Sequence, residues 1–259
     1  MRKEFISIED DTPQNAIQEA YVVCTTPRSG SNLLILTLEE QGLGYPHEYV
    51  NNKRNDLYYY LQHHTQQTWE DDPSYLDDPQ RLSQLQNILQ QNRCSENGIF
   101  GTKLFAADLY FKPERFDLFQ QNMKVPTKYI VLKRRNIVEK AISMYFAFET
   151  EQWIVNHQEK PTLDLIPYDY QKIAHYMTGL KEANQFWDTL FPNSSSNALV
   201  VYYKDLVRDF RGTIQNINTF LGHDGLPIPE PPIQKQTHPL KKSFEKLFIA
   251  EYKQRHRTR

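Results

Sequence analysis

Apolar residues along this chain fall into short blocks of two kinds. Tyr21-Val22-Val23-Cys24-Thr25 is a continuous apolar and β-branched run, which predicts a buried strand. Gly98 to Phe105 (GIFGTKLF) and Tyr129-Ile130-Val131-Leu132 predict a second and a third strand, and Ala198 to Tyr203 a fourth. Between these runs the spacing turns helical. Leu33 to Gln41 predicts a helix with Gly42 as its stop, and Asn136 to about His157 carries Ile137, Ala141, Ile142, Tyr145 and Phe148 at helical spacing. Further helices fit 168–190, Asp205 to Leu221 before Gly222, and about 239–254 before a basic tail. Residues 53–97 read as polar helix broken by the acidic turns Glu70-Asp71-Asp72-Pro73 and Asp77-Asp78-Pro79. Residues 1–19 read as a polar lead-in, and Pro227, Pro229, Pro231 and Pro232 as a stiff extended connector.

Strands alternating with helices predict an α/β fold with a central parallel sheet flanked by helices. Such sheets bind ligands at the carboxyl ends of their strands. The 259 residues suffice for one large domain or two small ones. At 39% hydrophobic, 24% charged and 13% aromatic, the chain is globular rather than disordered. A net charge of −2 argues against a duplex nucleic-acid partner. The sequence has neither an 18-residue apolar run nor an apolar stretch near its start, so neither a membrane partner nor a signal peptide is expected. Two cysteines, Cys24 and Cys94, give no disulfide framework or zinc cluster, which suits a reduced, cytoplasmic protein.

The chemistry concentrates in the first strand-to-helix turn, Thr26-Pro27-Arg28-Ser29-Gly30-Ser31-Asn32. Backbone N–H groups at a helix start, two hydroxyls and an arginine make an anion cradle, and Gly30 lets the backbone approach the anion. An ordinary turn with capping serines would use some of the same residues. A nucleoside triphosphate fits poorly. The turn lacks the upstream glycine and the lysine of a P-loop, and no strand ends in an Asp suited to Mg²⁺. No metal is therefore expected. A second signal is Arg135, eight residues before Ser143. A guanidinium leaving the sheet edge and a hydroxyl two turns into the next helix suit one phosphate.

TTPRSGSNLL followed by KYIVLKRRNIVEKAIS resembles the sulfotransferase superfamily, most closely its Stf0-type branch, whose founding activity is sulfation of trehalose. GLGYPHEYV, GIFGTKLF, AFETEQW, VVYYKDL and the Leu-Gly at 221–222 add to the likeness, which runs from about residue 20 to 250. The resemblance implies a single sulfotransferase domain over 1–259, built as a P-loop-like three-layer sandwich. It implies 3′-phosphoadenosine-5′-phosphosulfate (PAPS) as donor, with PAP as product. Arg28, Ser29, Gly30, Ser31 and Asn32 would surround the sulfate and 5′-phosphate, and Arg135 and Ser143 the 3′-phosphate. Glu48 matches the glutamate used as general base, with Arg28 also placed in catalysis. Two residues depart from the family pattern: Asn32 stands where Thr is usual, and Lys204 where an acid is common.

His47 is a rival base, since histidine is the commonest one. Lys103 is placed to face the transferring group, and Trp153 to stack on an acceptor ring. The implied partner is a small-molecule acceptor, a sugar or another natural product. The 53–97 segment would lie near it, and its acidic turns would suit a cationic guanidinium alkaloid of the saxitoxin type. The resemblance also implies a homodimer. Two other readings remain: a non-catalytic PAP(S)-binding module, and a phosphoryl transferase, which the missing Walker lysine disfavours.

Overall fold

The computed structural model describes residue 11 and residues 16–50, 55–66, 78–109, 111–153, 165–233 and 238–256. Strand β1 (Glu19–Thr25) leads into helix α1 (Ser31–Glu40), then α2 (Asn55–Thr65) and α3 (Pro79–Asn92). Strand β2 (Ile99–Phe105) passes through a 3₁₀ turn, Ala106–Leu109, to α4 (Pro113–Gln121) and β3 (Thr127–Lys133). Helices α5 (Ile137–Thr150) and α6 (Tyr170–Leu190) precede β4 (Ala198–Tyr202), and α7 (Tyr203–Arg208), α8 (Phe210–Leu221) and α9 (Pro239–His256) complete the order.

The four strands are parallel in the order β2-β1-β3-β4, with Val23 in register with Lys103 on one side and Ile130 on the other. Side chains alternate across β1. Ala20, Val22 and Cys24 pack with Leu85 and Leu89 of α3, Phe116 and Phe119 of α4 and Trp187 of α6. Tyr21 and Val23 pack on the opposite face with Leu34 and Leu38 of α1 and Ile214 and Ile217 of α8. Both faces of the sheet are thus covered, which explains why its strands read as unbroken apolar runs. A third cluster joins Ile142 and Tyr145 of α5, Ile173 and Met177 of α6, and Phe244 and Phe248 of α9. It lays α9 beside α5.

The described part of the 53–97 segment is helical as expected, in α2 and α3, and Asp78 of the second acidic turn caps α3 by accepting from Gln80 N at 2.9 Å. The first acidic turn and Asp77 lie outside the described residues. The helix expected to run to His157 stops at Thr150, because Glu151 takes a left-handed φ of 54°. The helix expected over 205–221 is two helices: Asp209 breaks it and caps α8 by accepting from Gly212 N at 3.1 Å. Helix α4 was not expected, although Pro113 and Glu114 form a start signal ahead of Phe116 and Phe119.

Candidate functional site

The β1–α1 loop sits at the carboxyl edge of the sheet and is braced from several sides. Thr25 Oγ1 donates to Leu132 O at 2.8 Å, tying the ends of β1 and β3, and Trp187 Nε1 donates to Thr25 O at 2.7 Å. Gly30 has a φ of +85°, and a Cβ there would come within 2.4 Å of the Tyr203 ring. Only glycine satisfies both constraints. Gly30 stands at the start of α1 and offers no side-chain cap, so the positive end of the helix is not neutralised by its own capping group.

Arg28 carries a left-handed φ of 63°, unusual for a residue with a side chain. Three bonds hold it. Its Nε donates to Ser143 Oγ at 3.0 Å, its Nη1 donates to Trp153 O at 2.7 Å, and its own carbonyl accepts from Arg134 Nη1 at 2.9 Å. Arg134 also pairs with Glu139 Oε1 at 2.6 Å and lies 4.6 Å from the Tyr203 ring centre. Burial, and then the charge of Arg134, lower the Arg28 pKa from its ordinary value.

These residues open onto a cavity of about 580 Å³ lined by Arg28, Gly30, Ser31, Asn32, Arg134, Ser143, Trp153, Tyr203, Lys241 and Lys242, among others. Lys241, on α9, is pushed down to about 8, first by burial and then by Arg28 and Arg134. The wall is therefore cationic beyond what its own acids, Glu139 and Glu245, offset. Ser29 does not line it: the residue is buried, and its Oγ lies 3.0 Å from Thr26 Oγ1. Arg135 does not line it either. It is exposed, and its guanidinium stacks 3.9 Å from the Tyr202 ring centre. The Arg135–Ser143 pair read from spacing is thus apart in this structure, with Arg134 occupying the cavity wall. Trp153, expected against an acceptor, lines the same cavity, and its carbonyl accepts from Arg28.

Glu48 and Lys103 meet on another side of the loop. Residue 47 bridges to the edge of β2: Lys103 N and Thr102 Oγ1 donate to His47 O at 2.8 and 3.2 Å. The two neighbouring side chains then part. His47 Nε2 lies 3.2 Å from Glu39 Oε2 on α1, whereas Glu48 Oε1 lies 2.6 Å from Lys103 Nζ. Lys103 is 1% exposed and also donates to Asn32 Oδ1 at 2.8 Å. Asn32, the departure from the family pattern, thereby links the start of α1 to the Glu48–Lys103 pair.

The sequence reading missed Arg134, Lys241 and Lys140. The spacing to Ser143 points to Arg135 rather than Arg134, and Lys241 reaches the loop because α9 packs on α5. Among the described residues no group of three or more His, Cys, Asp or Glu is placed to hold a metal ion. Nor is any helix among them long and apolar enough to cross a membrane.

Fold and loop together define an α/β protein with a cationic strand-to-helix turn at the carboxyl edge of a parallel sheet. The chain belongs to the Stf0 sulphotransferase family, whose model matches residues 20–253. It is similar in fold to the sulfotransferase domain from the Synechococcus PCC 7002 olefin synthase, at 18% identity and a TM-score of 0.48, over 92% of this chain and 97% of that one. A sulfotransferase from Alicyclobacillus acidocaldarius is 12% identical with a TM-score of 0.49, over 91% and 93% of the two chains. Mouse sulfotransferase SULT7A1, complexed with PAP, is 14% identical with a TM-score of 0.45, over 97% and 72%. No curated protein matches the chain. Membership rests on the family match.

Proposed function

We propose that the protein transfers the sulfuryl group of PAPS to a hydroxyl, or a similar nucleophile, of a small-molecule acceptor, with Glu48 as general base. The observation that carries this reading is the Lys103 bridge. One buried ammonium holds the Glu48 carboxylate at 2.6 Å and the first turn of the loop helix, through Asn32, at 2.8 Å. A proton acceptor is thereby fixed beside a cationic cradle, the pairing that in-line group transfer needs.

The residues fit a nucleotide bearing several anionic groups. The cavity has the volume of an ordinary small-molecule site. Its wall carries Arg28, Arg134, Lys241 and Lys242, and Gly30 keeps the helix start open to an anion. When bound, PAPS supplies an activated sulfuryl group with PAP as its leaving group. In this reading Arg28 and the N–H groups opening α1, at Ser31 and Asn32, stabilise negative charge that grows on the leaving oxygen. Gly30 provides the close approach, and Ser29 shapes the loop from beneath. Arg135 and Ser143 hold the 3′-phosphate, which requires the Arg135 guanidinium to leave the Tyr202 ring. Lys103 positions Glu48, and Glu48 takes the proton of the attacking hydroxyl. His47, turned to Glu39, steadies the segment that carries Glu48. Trp153 contributes an apolar wall beside Arg28.

The reading treats 1–259 as one domain, consistent with a family match that runs from 20 to 253. A sugar is the first acceptor class to test and a cationic natural product the second. Incubation with labelled PAPS and an acceptor panel, without metal and with EDTA present, tests the function. Labelled acceptor together with released PAP is the expected result. PAP binding without transfer to any acceptor would reassign the protein as a binding module. Phosphoryl transfer from ATP that requires Mg²⁺ would overturn the reading.

A further inference from the structure

Lys140 lies on α5 with 0% exposure, a placement rare for lysine unless a counter-charge meets it. Its ammonium donates to Thr26 Oγ1 in the anion loop and, at 3.1 Å, to Asn184 Oδ1 on α6. Thr26 Oγ1 in turn lies 3.0 Å from Ser29 Oγ. Lys140 thus reaches the loop from beneath, through two neutral acceptors. Among the described residues no carboxylate forms an ion pair with it. The nearby charges are Arg28 in the loop and, at the end of β3, Arg134, which is committed to Glu139 at 2.6 Å. Lys133 is paired with Asp188, and Lys181 and Glu182 on α6 are exposed. Burial, and then Arg134, push the Lys140 amine down to about 7.

The free protein therefore gathers Arg28, Arg134 and Lys140 around one loop, where Glu139 is taken by Arg134, Glu48 by Lys103, and Glu245 lies on the cavity wall. We propose that Lys140 is a positioning residue coupled to the occupant of the loop: it takes up a proton from solvent when a phosphate or sulfate group binds there, and its ammonium then fastens Thr26 and Ser29 beneath that anion. This rests on the reading of the loop as the PAPS cradle. The anion adds negative charge where cations outnumber acids, so it favours the ammonium form. By linkage, binding must then weaken as rising pH removes the proton from the free protein. Nothing in the sequence marks Lys140 for this. Its charge reads as a solvated helix face, and distant packing, of α6 and the β1–α1 loop on α5, buries it.

Calorimetry of PAP binding to the full chain, from pH 6 to 8.5 in two buffers of different ionisation enthalpy, tests the proposal. Lys140→Gln keeps a donor toward Thr26 but cannot titrate in this range. At pH 8 the wild type should take up about one proton more per PAP than K140Q. Between pH 6 and 8 its Kd should weaken about tenfold relative to that of K140Q. The phosphate's own ionisation, near pH 6, and Lys241 are common to both proteins and cancel in the comparison. Equal proton counts and parallel pH profiles would overturn the coupling, because a merely structural lysine leaves both unchanged. Should K140Q fail to fold, the wild type decides alone. Uptake of less than about half a proton at pH 8, the share that Lys241 can provide, overturns the proposal. Absence of PAP binding at every pH overturns the nucleotide reading itself, and this inference with it.

Discussion

Lys103 Nζ stands 2.6 Å from Glu48 Oε1, with the lysine 1% and the glutamate 16% exposed. A carboxylate held this way is fixed in direction, which a base in a solvated loop is not. Glu48→Gln keeps the size of the side chain and an oxygen for Lys103 to donate to, but removes the basic carboxylate. Turnover on a hydroxyl acceptor should fall by about 10²–10⁴, with the Kd of PAP nearly unchanged. His47→Ala should be mild by comparison, since its imidazole faces Glu39. Steady-state rates beside PAP titrations check both. Retained activity in E48Q with loss in H47A would exchange the two roles.

Arg28 makes two side-chain bonds, to Ser143 Oγ and Trp153 O, and so couples the loop to the middle of α5 and to the segment just beyond its end. Lysine keeps the charge but not the planar fork that spans both acceptors. Arg28→Lys should therefore retain PAP binding within about tenfold and lose turnover by about 10²-fold, as removal of one preorganised donor commonly does. Arg28→Ala should lose more of both. If the Kd of PAP rises in R28K as steeply as turnover falls, the residue serves binding alone.

Much of this arrangement was legible in the chain because local chemistry dictates it. The run 21–25 had to be a covered strand, and Gly30 follows from a tight turn that takes a left-handed φ of +85°. Asn136 announces α5 by accepting from Glu139 N at 3.1 Å. What was not legible depends on distant packing. Lys241 joins the cavity through the third cluster, and Lys140 is buried between the loop and α6. The choice between Arg134 and Arg135 is set by side-chain direction at a strand end. Period-two alternation sends neighbours to opposite sides, but spacing alone does not say which side holds the ligand.

That choice is open to measurement. Arg135→Ala should raise the Kd of PAP by roughly 1.5–3 kcal/mol, the contribution of a charge-assisted bond to a partly desolvated phosphate. This is about ten- to 150-fold. Arg134→Ala should instead lower thermal stability as well as affinity, because it leaves Arg28 O and Glu139 without the partner they share. Calorimetric titration and a melting curve for each variant separate the two cases. An unchanged PAP affinity in R135A would give the 3′-phosphate to Arg134 and Lys241, the cations that line the cavity.

The buried lysines also predict how the nucleotide-free protein responds to pH. In the fold Lys140 is lowered to about 7 and Lys241 to about 8, from an ordinary value of 10.5. From about pH 7 to about 10 the unfolded chain thus holds protons on these two amines that the folded chain has shed. Stability rises with pH wherever the unfolded state binds more protons. The penalty of two buried ammonium groups, that of Lys241 offset in part by Glu139, is full well below pH 7 and is relieved progressively above it. The thiols of Cys24 and Cys94, which burial also pushes up, oppose this above about pH 8.5, and tyrosines such as Tyr60 and Tyr129 oppose it above the ordinary tyrosine range. The Tm should therefore climb between pH 7 and about 8.5, and the combined variant Lys140→Gln with Lys241→Gln should flatten the climb while raising Tm at pH 7. Saturating PAP should flatten it too, because the bound anion restores both ammonium forms. A wild-type Tm that is level or falling across this window would show that neither lysine is held neutral in the free protein.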